Sequence, residues 1–513
     1  MKARKTVLAL VLAACMLFAL LAACSNQTAT PGTNDKQDAP ATPTDPGSIT
    51  TIEMRYLDFY SVGDDHGARI TDAINAITEP QIGVHVNLQY VSVGNYMTMI
   101  QADISSGVQI DLIAACIGNN VANLHMSGMV MDITDYAAEY ASDALALLGS
   151  YVEPYKYDGR LFGMPTYRNL LTTRFLMMNK DILDELGKTE EARNITTWTE
   201  FEALMQLVKE NYTDQGKGIF PITAGAGAVL THADNFWEDD SIFTSYHDAL
   251  GDRTGTVYTD WDGNVSMVQE QPGWIATCKR TADWNSRGFI YPDSIINTDL
   301  NSDDIMRDGI SFSMVIPAEY GAVTTKGGNW NKNLVDIEIV SPLLRTSSLT
   351  SWGMAVPITA EEPEAACKML NLMYTNKDIA NIFVNGVEGE DYTLENGEVV
   401  RQSGGYFAAE FVGGNDLLAL PLKGAGADFN EVVLKKMSEM KTSPYLGFSI
   451  NVDDLSLAVS QMTTVNSQYN QTVAHGNYTD EIYQEYVSKL ETAGVRDYLA
   501  AVQTQLDAWR ANH

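Results

Sequence analysis

The chain has few cysteines and few positive charges for its 513 residues. It holds 33 Lys and Arg against 66 Asp and Glu, and the resulting formal net charge of −33 disfavours nucleic acid and anionic lipid as partners. Three of the five cysteines lie far apart in the body of the chain, at Cys116, Cys278 and Cys367. Their odd number and wide spacing predict buried thiols and no disulfide framework.

Motifs of catalysis and metal binding are missing as well. The sequence has no His-Glu-x-x-His zinc motif, no Gly-x-Ser-x-Gly elbow and no phosphate-binding loop. The segments that begin at Asp260 and Asp299 resemble the start of a calcium loop, but neither has Gly at the sixth place or Glu at the twelfth. We therefore predict no cofactor, no metal site and no enzymatic activity.

Long apolar runs are absent from the sequence except near its first residues. Three basic residues precede an unbroken apolar run from Val7 to Ala23, which is the pattern of a secretory signal. At about 17 residues the run is at the lower edge of a membrane-spanning helix, so an uncleaved anchor is the alternative. If the run is a secretory signal, the mature protein lies outside the cell membrane.

The residues that end this run resemble a bacterial lipobox, in which a cysteine is diacylated and becomes the first residue of the mature chain. Leu21 to Cys24 match that pattern. Leu12 to Cys15 spell it too, but the apolar core before Cys15 is too short for processing there. We predict a lipoprotein signal peptide over residues 1–23 and lipidation at Cys24, which would anchor the protein to the membrane.

Residues 24–50 are polar and contain four prolines, a composition that cannot bury a core. We interpret them as a flexible linker that holds the folded body on the order of 30 Å from its anchor. Loss of residues 1–23 removes three positive charges and no negative ones, which takes the net charge from −33 to about −36.

The pattern of the body is typical of the α/β class. Strand-like and helix-like segments alternate, and this alternation predicts a parallel sheet with its ligand beyond the carboxyl ends of the strands. The body is too long for one core and should form at least two lobes. The predicted strands are 51–60, 83–90 and 110–115, and the predicted helices between them are 67–77 and 96–105.

The remaining segments continue the mixture of strands and helices. Thr197 and Glu200 form a capping box at the start of a helix over 198–211. Asp-Gly at 262–263 predicts a hairpin over 259–267, and Gly494 breaks the last helical stretch, 479–509, into two helices. The other predictions are helices over 176–187 and 363–374 and strands over 310–316 and 352–357.

In this order the segments resemble the extracellular solute-binding proteins of ATP-driven importers, in the large sugar-type family that includes maltodextrin-binding protein. The resemblance covers nearly the whole mature chain. Its tail is similar to the C-terminal region of LipO-type lipoproteins. The segments that carry it are 106–112 (SGVQIDL), 157–165 (YDGRLFGMP), 178–187 (MNKDILDELG), 197–201 (TWTEF), 352–374, 385–392 (NGVEGEDY), 443–448 (SPYLGF) and 490–509.

The resemblance implies a two-lobed periplasmic-binding-protein-like fold with a hinge and a ligand cleft between the lobes. We place lobe one in residues 51–160 and about 315–370, and lobe two in residues 161–314 and about 371–440. Residues 441–513 should form a helical region packed on the lobes.

Candidate ligand-binding residues are aromatic or planar polar side chains in predicted loops, because sugars offer apolar ring faces and a rim of hydroxyls. Trp237 and Trp352 are the aromatic residues we favour most, since each stands beside polar residues near a loop or a strand end. The full set is Asp58, Tyr60, Asn119, Tyr167, Arg168, Trp237, Glu238, Glu319, Tyr320, Trp352 and Glu388.

The resemblance further implies that a monomeric protein captures a small carbohydrate, an oligosaccharide by the size of the body, and delivers it to the permease of an ABC importer. A peptide-binding protein and a surface sensor that presents its ligand to a receptor remain alternatives. So does a secreted carbohydrate-active enzyme, because the many acidic residues always allow a catalytic pair of carboxylates to be proposed.

Overall fold

The computed structural model describes residues 48–116, 120–224, 234–297, 300–409 and 411–512. The chain divides into two units, Met1–Ser48 and Ile49–His513. Of the first unit only Ser48 is described, so the predicted signal peptide and Cys24 lie outside the described residues. The second unit contains two central sheets, each with its own hydrophobic core.

The first lobe is built on a five-stranded sheet that begins as predicted with parallel strands. Thr50–Asp58 pairs in parallel with Val84–Ser92 on one side and with Leu112–Cys116 on the other. Trp352–Ala355 then adds antiparallel to Leu112–Cys116, and Met164–Pro165 adds antiparallel to Trp352–Ala355. Helices cover both faces, which is why Leu112–Cys116 is buried at every position and reads as an unbroken apolar run.

The helices of the first lobe follow their strands closely in the chain. Cys116 and Cys367 are buried thiols in its core, as predicted. The α-helices are Asp64–Ile82, Val93–Ser105, Val121–Met126, Thr134–Tyr140, Ser142–Leu148, Pro363–Thr375 and Lys377–Asn385. A 3-10 helix, Gly149–Tyr155, and two ribbons, Lys156–Tyr157 with Arg160–Leu161 and Tyr392–Glu395 with Glu398–Arg401, complete this part.

The second lobe is built on a mixed five-stranded sheet. Thr172–Asn179 lies at its centre, antiparallel to both Ser311–Glu319 and Leu334–Ser341. Phe220–Ile222 and Thr244–Ser245 add in parallel at the two edges. The helices around it are Lys180–Glu185, Thr189–Arg193, Trp198–Val208, Asp293–Ile296, Ser302–Arg307 and Ala322–Trp330, with a π-helix at Lys209–Thr213.

The helix predicted over 176–187 is wrong in its first turn. Residues up to Asn179 belong to the central strand, and the helix begins only at Lys180. A strand buried on both faces and a buried helix share the same continuous apolar pattern, so Leu176 to Met178 did not distinguish them. The side chain of Asn179 accepts from the backbone N–H groups of Asp181 and Ile182 and so marks the boundary.

The C-terminal region packs on a hairpin and a helix of the middle of the chain. The predicted hairpin exists as Val257–Thr259 with Val265–Met267, and the break at Gly494 separates Asp480–Thr492 from Val495–Arg510. Gly494 has a φ of 92°, the left-handed conformation that favours glycine. Together with helices Pro272–Ser286 and Ser456–Ala474 and two 3-10 helices, Val268–Glu270 and Asp453–Leu455, these elements surround a third core.

A small apolar cluster lies where the chain passes between the lobes. It includes Leu170, Leu344, Leu417 and Val433. The elements there are the parallel pair Leu343–Leu344 with Lys441–Thr442, the helices Thr346–Thr350 and Phe429–Glu439, and the 3-10 helix Asp416–Leu418. We call this set of elements the hinge region.

The structure divides the chain differently from the sequence-based division. Strands Ser311–Glu319 and Leu334–Ser341, mostly assigned to lobe one, pair in the sheet of the second lobe. Residues 371–412, assigned to lobe two, contribute Tyr374, Phe383 and Val412 to the core of the first lobe. Strand pairing is a long-range property that the order of segments does not encode. Across the described residues, no helix has the length and apolar character needed to cross a bilayer.

Candidate functional site

A cavity of about 290 Å³, which we call the main cavity because residues of both lobes line it, lies between the hinge region and the lobes. The second lobe contributes Glu319 and Tyr320, at the end of its strand Ser311–Glu319. Phe411 and Val384 come from the chain that packs on the first-lobe core, and Phe429 comes from the hinge region. A space walled by elements of both lobes is where a two-lobed fold holds a small ligand.

An ion pair forms one polar edge of the cavity. Arg168 Nη1 donates to Glu319 Oε1 at 2.9 Å and to the carbonyl of Asn169 at 3.1 Å. Asn169 in turn donates from its side chain to the carbonyl of Tyr320 at 3.0 Å. The chain just after Pro165 and the end of strand Ser311–Glu319 are therefore joined at the cavity, and three of the residues predicted from the sequence, Arg168, Glu319 and Tyr320, line it together.

A stacked aromatic pair forms a second wall. The rings of Tyr320 and Phe429 are nearly parallel, at 13°, with centroids 6.0 Å apart. The ammonium group of Lys436, two turns along the same helix as Phe429, lies 4.7 Å from the Tyr320 ring centroid. This arrangement holds the Tyr320 ring in a defined orientation beside the cavity.

A further cavity of about 340 Å³ lies beyond this pair and shares Tyr320 and Phe429 as lining residues. Asp336 lines it, and burial raises the pKa of that carboxyl above its ordinary value. Burial also raises the pKa of the neighbouring Glu338 carboxyl, while the charge of Lys436 acts in the opposite direction.

A group of aromatic rings from the first lobe approaches the main cavity through Phe411. The Trp352 ring lies 4.6 Å from that of Phe411 and 6.0 Å from that of Phe59, so the three rings are in mutual contact. Tyr60, which is exposed, has its ring 4.5 Å from that of Phe407. Strand Trp352–Ala355 lies between Leu112–Cys116 and Met164–Pro165 in its sheet, and Trp352 is its first residue, half-buried and in contact with these rings.

Asp58 has a structural task in the loop that carries these aromatics. Its Oδ1 accepts from the backbone N–H of Tyr60 at 2.8 Å, and its Oδ2 accepts from that of Val62 at 2.9 Å. The side chain is buried and both oxygens are used within the turn. Asp58 therefore shapes the loop after the first strand, and it is Tyr60 that is exposed.

Tyr167 lies beside the cavity without lining it. Its backbone N–H donates to the Gly414 carbonyl at 2.8 Å, and its carbonyl accepts from the N–H of Asp416 at 3.0 Å. Its half-buried ring contacts that of Tyr151 at 6.0 Å, and burial raises the pKa of its phenol. Tyr167 lies in the segment after Pro165, where the chain first passes from one lobe to the other. Its backbone thus joins this segment to the one that contributes Phe411 and Asp416 to the cavity.

Trp237 does not offer a stacking surface, contrary to the prediction. The side chain is 1% exposed and its ring meets that of Trp198 edge-on, at 5.3 Å and 89°. Its Nε1 donates to the carbonyl of Ile242 at 2.7 Å. Glu238, Asp239 and Asp240, which follow it in the sequence, are at the surface while the indole packs in the second-lobe core, a difference of direction that the sequence does not reveal.

Two other predicted residues, Glu238 and Glu388, are also not among those that line the main cavity. Glu238 is exposed and lies close to Tyr258 and to helix Pro272–Ser286. Glu388 is exposed in the turn before Tyr392. Asn119 lies outside the described residues, and its neighbour Asn120 caps the helix Val121–Met126 by accepting from the N–H of Asn123.

The calcium-like segment at Asp260 forms a turn. Asp260 Oδ1 accepts from the backbone N–H groups of Asp262 and Asn264, and its Oδ2 accepts from the Asn264 side chain. These hydrogen bonds lower the pKa of the Asp260 carboxyl against the opposing effect of its burial, which is the largest single influence. Among the described residues no group of three or more His, Cys, Asp or Glu is placed to hold a metal ion. Asp299 lies outside them.

Several cavity residues were missed by the sequence analysis. Phe411, Asp416, Phe429, Asn430 and Lys326 all line it. Phe411 and Asp416 flank Gly413 and Gly414, and an aromatic beside two glycines and an Asn-Asp pair was the available signal for a loop at a site. Phe429 and Lys326 lie on helices whose patterns gave no such signal.

Comparison with known proteins agrees with this architecture. A profile described as bacterial extracellular solute-binding protein matches residues 67–380, and one described only as a domain of unknown function matches residues 444–511. A carbohydrate ABC transporter substrate-binding protein of Streptococcus pneumoniae serotype 4 is 24% identical over an alignment of 514 positions that covers 97% of this chain and 96% of that protein.

Solved structures show the same fold. The crystal structure of an N-glycan transport solute binding protein from Streptococcus pneumoniae matches with a TM-score of 0.73 at 20% identity, over 90% of this chain and 99% of that one. A solute binding protein from Bifidobacterium longum infantis, described as binding HMO and associated with an ABC transporter, matches with a TM-score of 0.63 at 16% identity, over 91% and 99%. The two-lobed α/β fold is thereby confirmed. With a family profile that spans more than half of its length, the chain belongs to the bacterial extracellular solute-binding proteins.

Proposed function

We propose that this protein captures an oligosaccharide in the cavity between its lobes and delivers it to the permease of an ABC importer. The observation that carries the proposal is the pairing of aromatic faces with planar polar groups around one cavity. Phe411 and the Tyr320–Phe429 pair, which line this cavity, offer surfaces for sugar rings. Arg168, Asn169 and Asn430 offer hydrogen bonds to hydroxyls.

The relatives of this chain support the same class of ligand. The relative in Streptococcus pneumoniae is described as a carbohydrate ABC transporter protein, and structures of the N-glycan transport protein have been solved with Man1GlcNAc and with Man5GlcNAc. The alternative of a peptide ligand has no comparable support. Membership of a solute-binding family supports capture without turnover.

We place the protein outside the cell, anchored by lipid at Cys24 and acting as a monomer. The location and the anchor are supported by the lipobox-like pattern from Leu21 to Cys24 after an apolar run. Mass spectrometry of the membrane-extracted protein should find a diacylglyceryl cysteine as residue one. An unmodified cysteine, or a first residue other than Cys24, would remove the lipid anchor from the proposal.

Binding is tested by a thermal-shift screen with Man5GlcNAc, lacto-N-tetraose and short peptides, followed by calorimetry on each hit. A ligand that binds only the folded state raises the melting temperature by mass action. Replacing Tyr320 by Ala should weaken sugar binding by about 1–3 kcal/mol, which is about 5-fold to 150-fold. Tyr136→Ala, which removes an exposed ring on helix Thr134–Tyr140, is the matched control and should leave affinity unchanged.

Two results would contradict the proposal. If only peptides raise the melting temperature, the ligand class is wrong. If a sugar binds and Tyr320→Ala and Tyr136→Ala bind it equally well, the cavity is not its site. Chromatography of the sugars after prolonged incubation tests the absence of turnover, since any shortened product would indicate an enzyme.

A further inference from the structure

The charges that line the main cavity balance one another. Among the described residues lining it, four are charged: Arg168 and Lys326 are cations, and Glu319 and Asp416 are anions. Their formal charges sum to zero. A cavity of this kind differs from one built to bind an anion, where cations outnumber carboxylates and point at the ligand.

Both cations are already engaged with protein groups. Arg168 is only 8% exposed, and it donates to the Glu319 carboxylate at 2.9 Å and to the carbonyls of Asn169 and Ser348. Lys326 is in hydrogen-bond contact with the Asp303 carboxylate, and its ammonium lies 5.2 Å from the Trp330 ring centroid. A ligand carboxylate would therefore have to displace Glu319 from Arg168 or Asp303 from Lys326.

A ligand carboxylate would also lose solvation without gaining a cationic partner. It would lie near the carboxylates of Glu319 and Asp416 in a partly dehydrated cavity, where like charges repel more strongly than in water. The net charge of the whole chain, −33, adds a repulsive field for anions approaching from solution. A sugar hydroxyl avoids the charge repulsion, and it can offset its smaller loss of solvation by accepting from Arg168 or donating to Glu319 while their ion pair stays intact.

We propose that the cavity selects uncharged oligosaccharides over acidic ones, and that Glu319 is the residue that determines this preference by occupying Arg168. The proposal rests on the proposed function and narrows its ligand class. Sugars with uronate or sialate groups are then poor ligands, although they share the ring faces and most of the hydroxyls of neutral sugars.

The test compares each neutral sugar with its own oxidised form. Man5GlcNAc and lacto-N-tetraose are used as such and after oxidation of their primary hydroxyls to carboxylates, a change of charge with little change of shape. Calorimetry with the full-length chain in detergent should show that the neutral form binds at least about tenfold more tightly than the oxidised form. High salt, about 0.5 M, should narrow the gap because part of it is electrostatic.

Glu319→Gln removes the negative charge beside Arg168. In this variant the ratio of the two affinities should fall by about fivefold or more, mainly through tighter binding of the oxidised sugar. Glu190→Gln is the matched control, because Glu190 is also paired with an arginine, Arg193, but lies on an exposed surface helix. Its ratio should equal that of the wild type.

The outcomes separate this inference from the proposed function. If the oxidised sugar binds the wild type as tightly as the neutral one, sugar binding stands and the selectivity is refuted. If Glu319→Gln leaves the ratio of the two affinities unchanged, Glu319 does not determine the selectivity. If neither form binds the wild type, the proposed function fails and this inference with it. The wild-type comparison holds even if Glu319→Gln proves too unstable to purify.

Discussion

Trp237 offers the sharpest test of the structure, because the sequence pattern predicts a ligand contact and the fold predicts a core residue. The indole is 1% exposed, packs edge-on against Trp198 and donates from Nε1 to the Ile242 carbonyl at 2.7 Å. Nothing of its ring faces the main cavity, which Trp237 does not line. Its replacement should therefore reduce stability and leave the affinity of the folded protein unchanged.

The magnitude follows from the contacts that are lost. Truncation of a buried Trp to Ala costs about 3–5 kcal/mol through lost packing and the cavity left behind. The Ile242 carbonyl, left buried without its donor, adds about 1–3 kcal/mol. Since domains are typically stable by only about 5–15 kcal/mol, we expect Trp237→Ala to fold poorly. Trp237→Phe keeps a ring in the core and should cost mainly the hydrogen bond, about 1–3 kcal/mol.

The assay measures stability and affinity on the same samples. Urea unfolding followed by circular dichroism gives the free energy of unfolding of Trp237→Phe, and calorimetry gives its affinity for the sugar found in the screen. Trp352→Phe is the matched variant, since Trp352 is half-buried against Phe411, which lines the cavity. We expect Trp237→Phe to lose stability at unchanged affinity. Weaker binding by Trp237→Phe with an unchanged urea midpoint would refute the assignment of this residue to the core.

Three further predictions concern stability, pH and motion. Burial lowers the pKa of the His475 imidazole below its ordinary value of 6.5, while a hydrogen bond with the Ala224 backbone acts the other way. As the pH falls, the unfolded chain therefore binds a proton at this residue before the folded chain does, and the stability that the residue contributes is lost below pH 6.5, by at most about 1.4 kcal/mol per pH unit. The melting temperature of the wild type relative to that of His475→Gln should decline from about pH 7.5 to about pH 5.5. A constant difference between the two melting temperatures would contradict this. Thr197→Ala removes the capping box of helix Trp198–Val208 and should lower the free energy of unfolding in urea by about 1 kcal/mol. Thr199→Ala, at an exposed position of the same helix, should lower it little, and equal losses in the two variants would exclude the cap as the cause. Small-angle scattering should show a smaller radius of gyration with saturating sugar than without it, and an unchanged radius would argue against closure of the lobes.

Local features were predictable because each depends on neighbours in the sequence. The capping box at Thr197, the hairpin around Asp260 and the helix break at Gly494 are all in place as predicted. Their hydrogen bonds and backbone angles involve residues only a few positions apart, so the pattern of residue types is sufficient. The order of such segments was also enough to indicate the family, which the comparisons confirm.

The candidate site could be predicted only in part. Arg168, Glu319 and Tyr320 were recognised as polar or aromatic residues in predicted loops, and the fold brings all three to one cavity. Trp237 satisfied the same criterion and is buried, because the direction in which a side chain points depends on what packs against its segment. Phe411 and Phe429 reach the cavity only through the packing of distant segments on the lobes and the hinge region.

The sequence by itself determined the class of fold, several of the local elements and the family, all of which follow from short-range patterns and their order. The tertiary structure alone decided which strands share a sheet, how the chain divides between lobes and which charges neutralise one another at the cavity. Ser311–Glu319 pairs with Thr172–Asn179, more than a hundred residues away, and Arg168 meets Glu319 across a separation of 151. Such contacts form because they bury large apolar surfaces, and many different pairings of apolar segments could bury a similar area. No single segment of the sequence contains the information that chooses one pairing over the others.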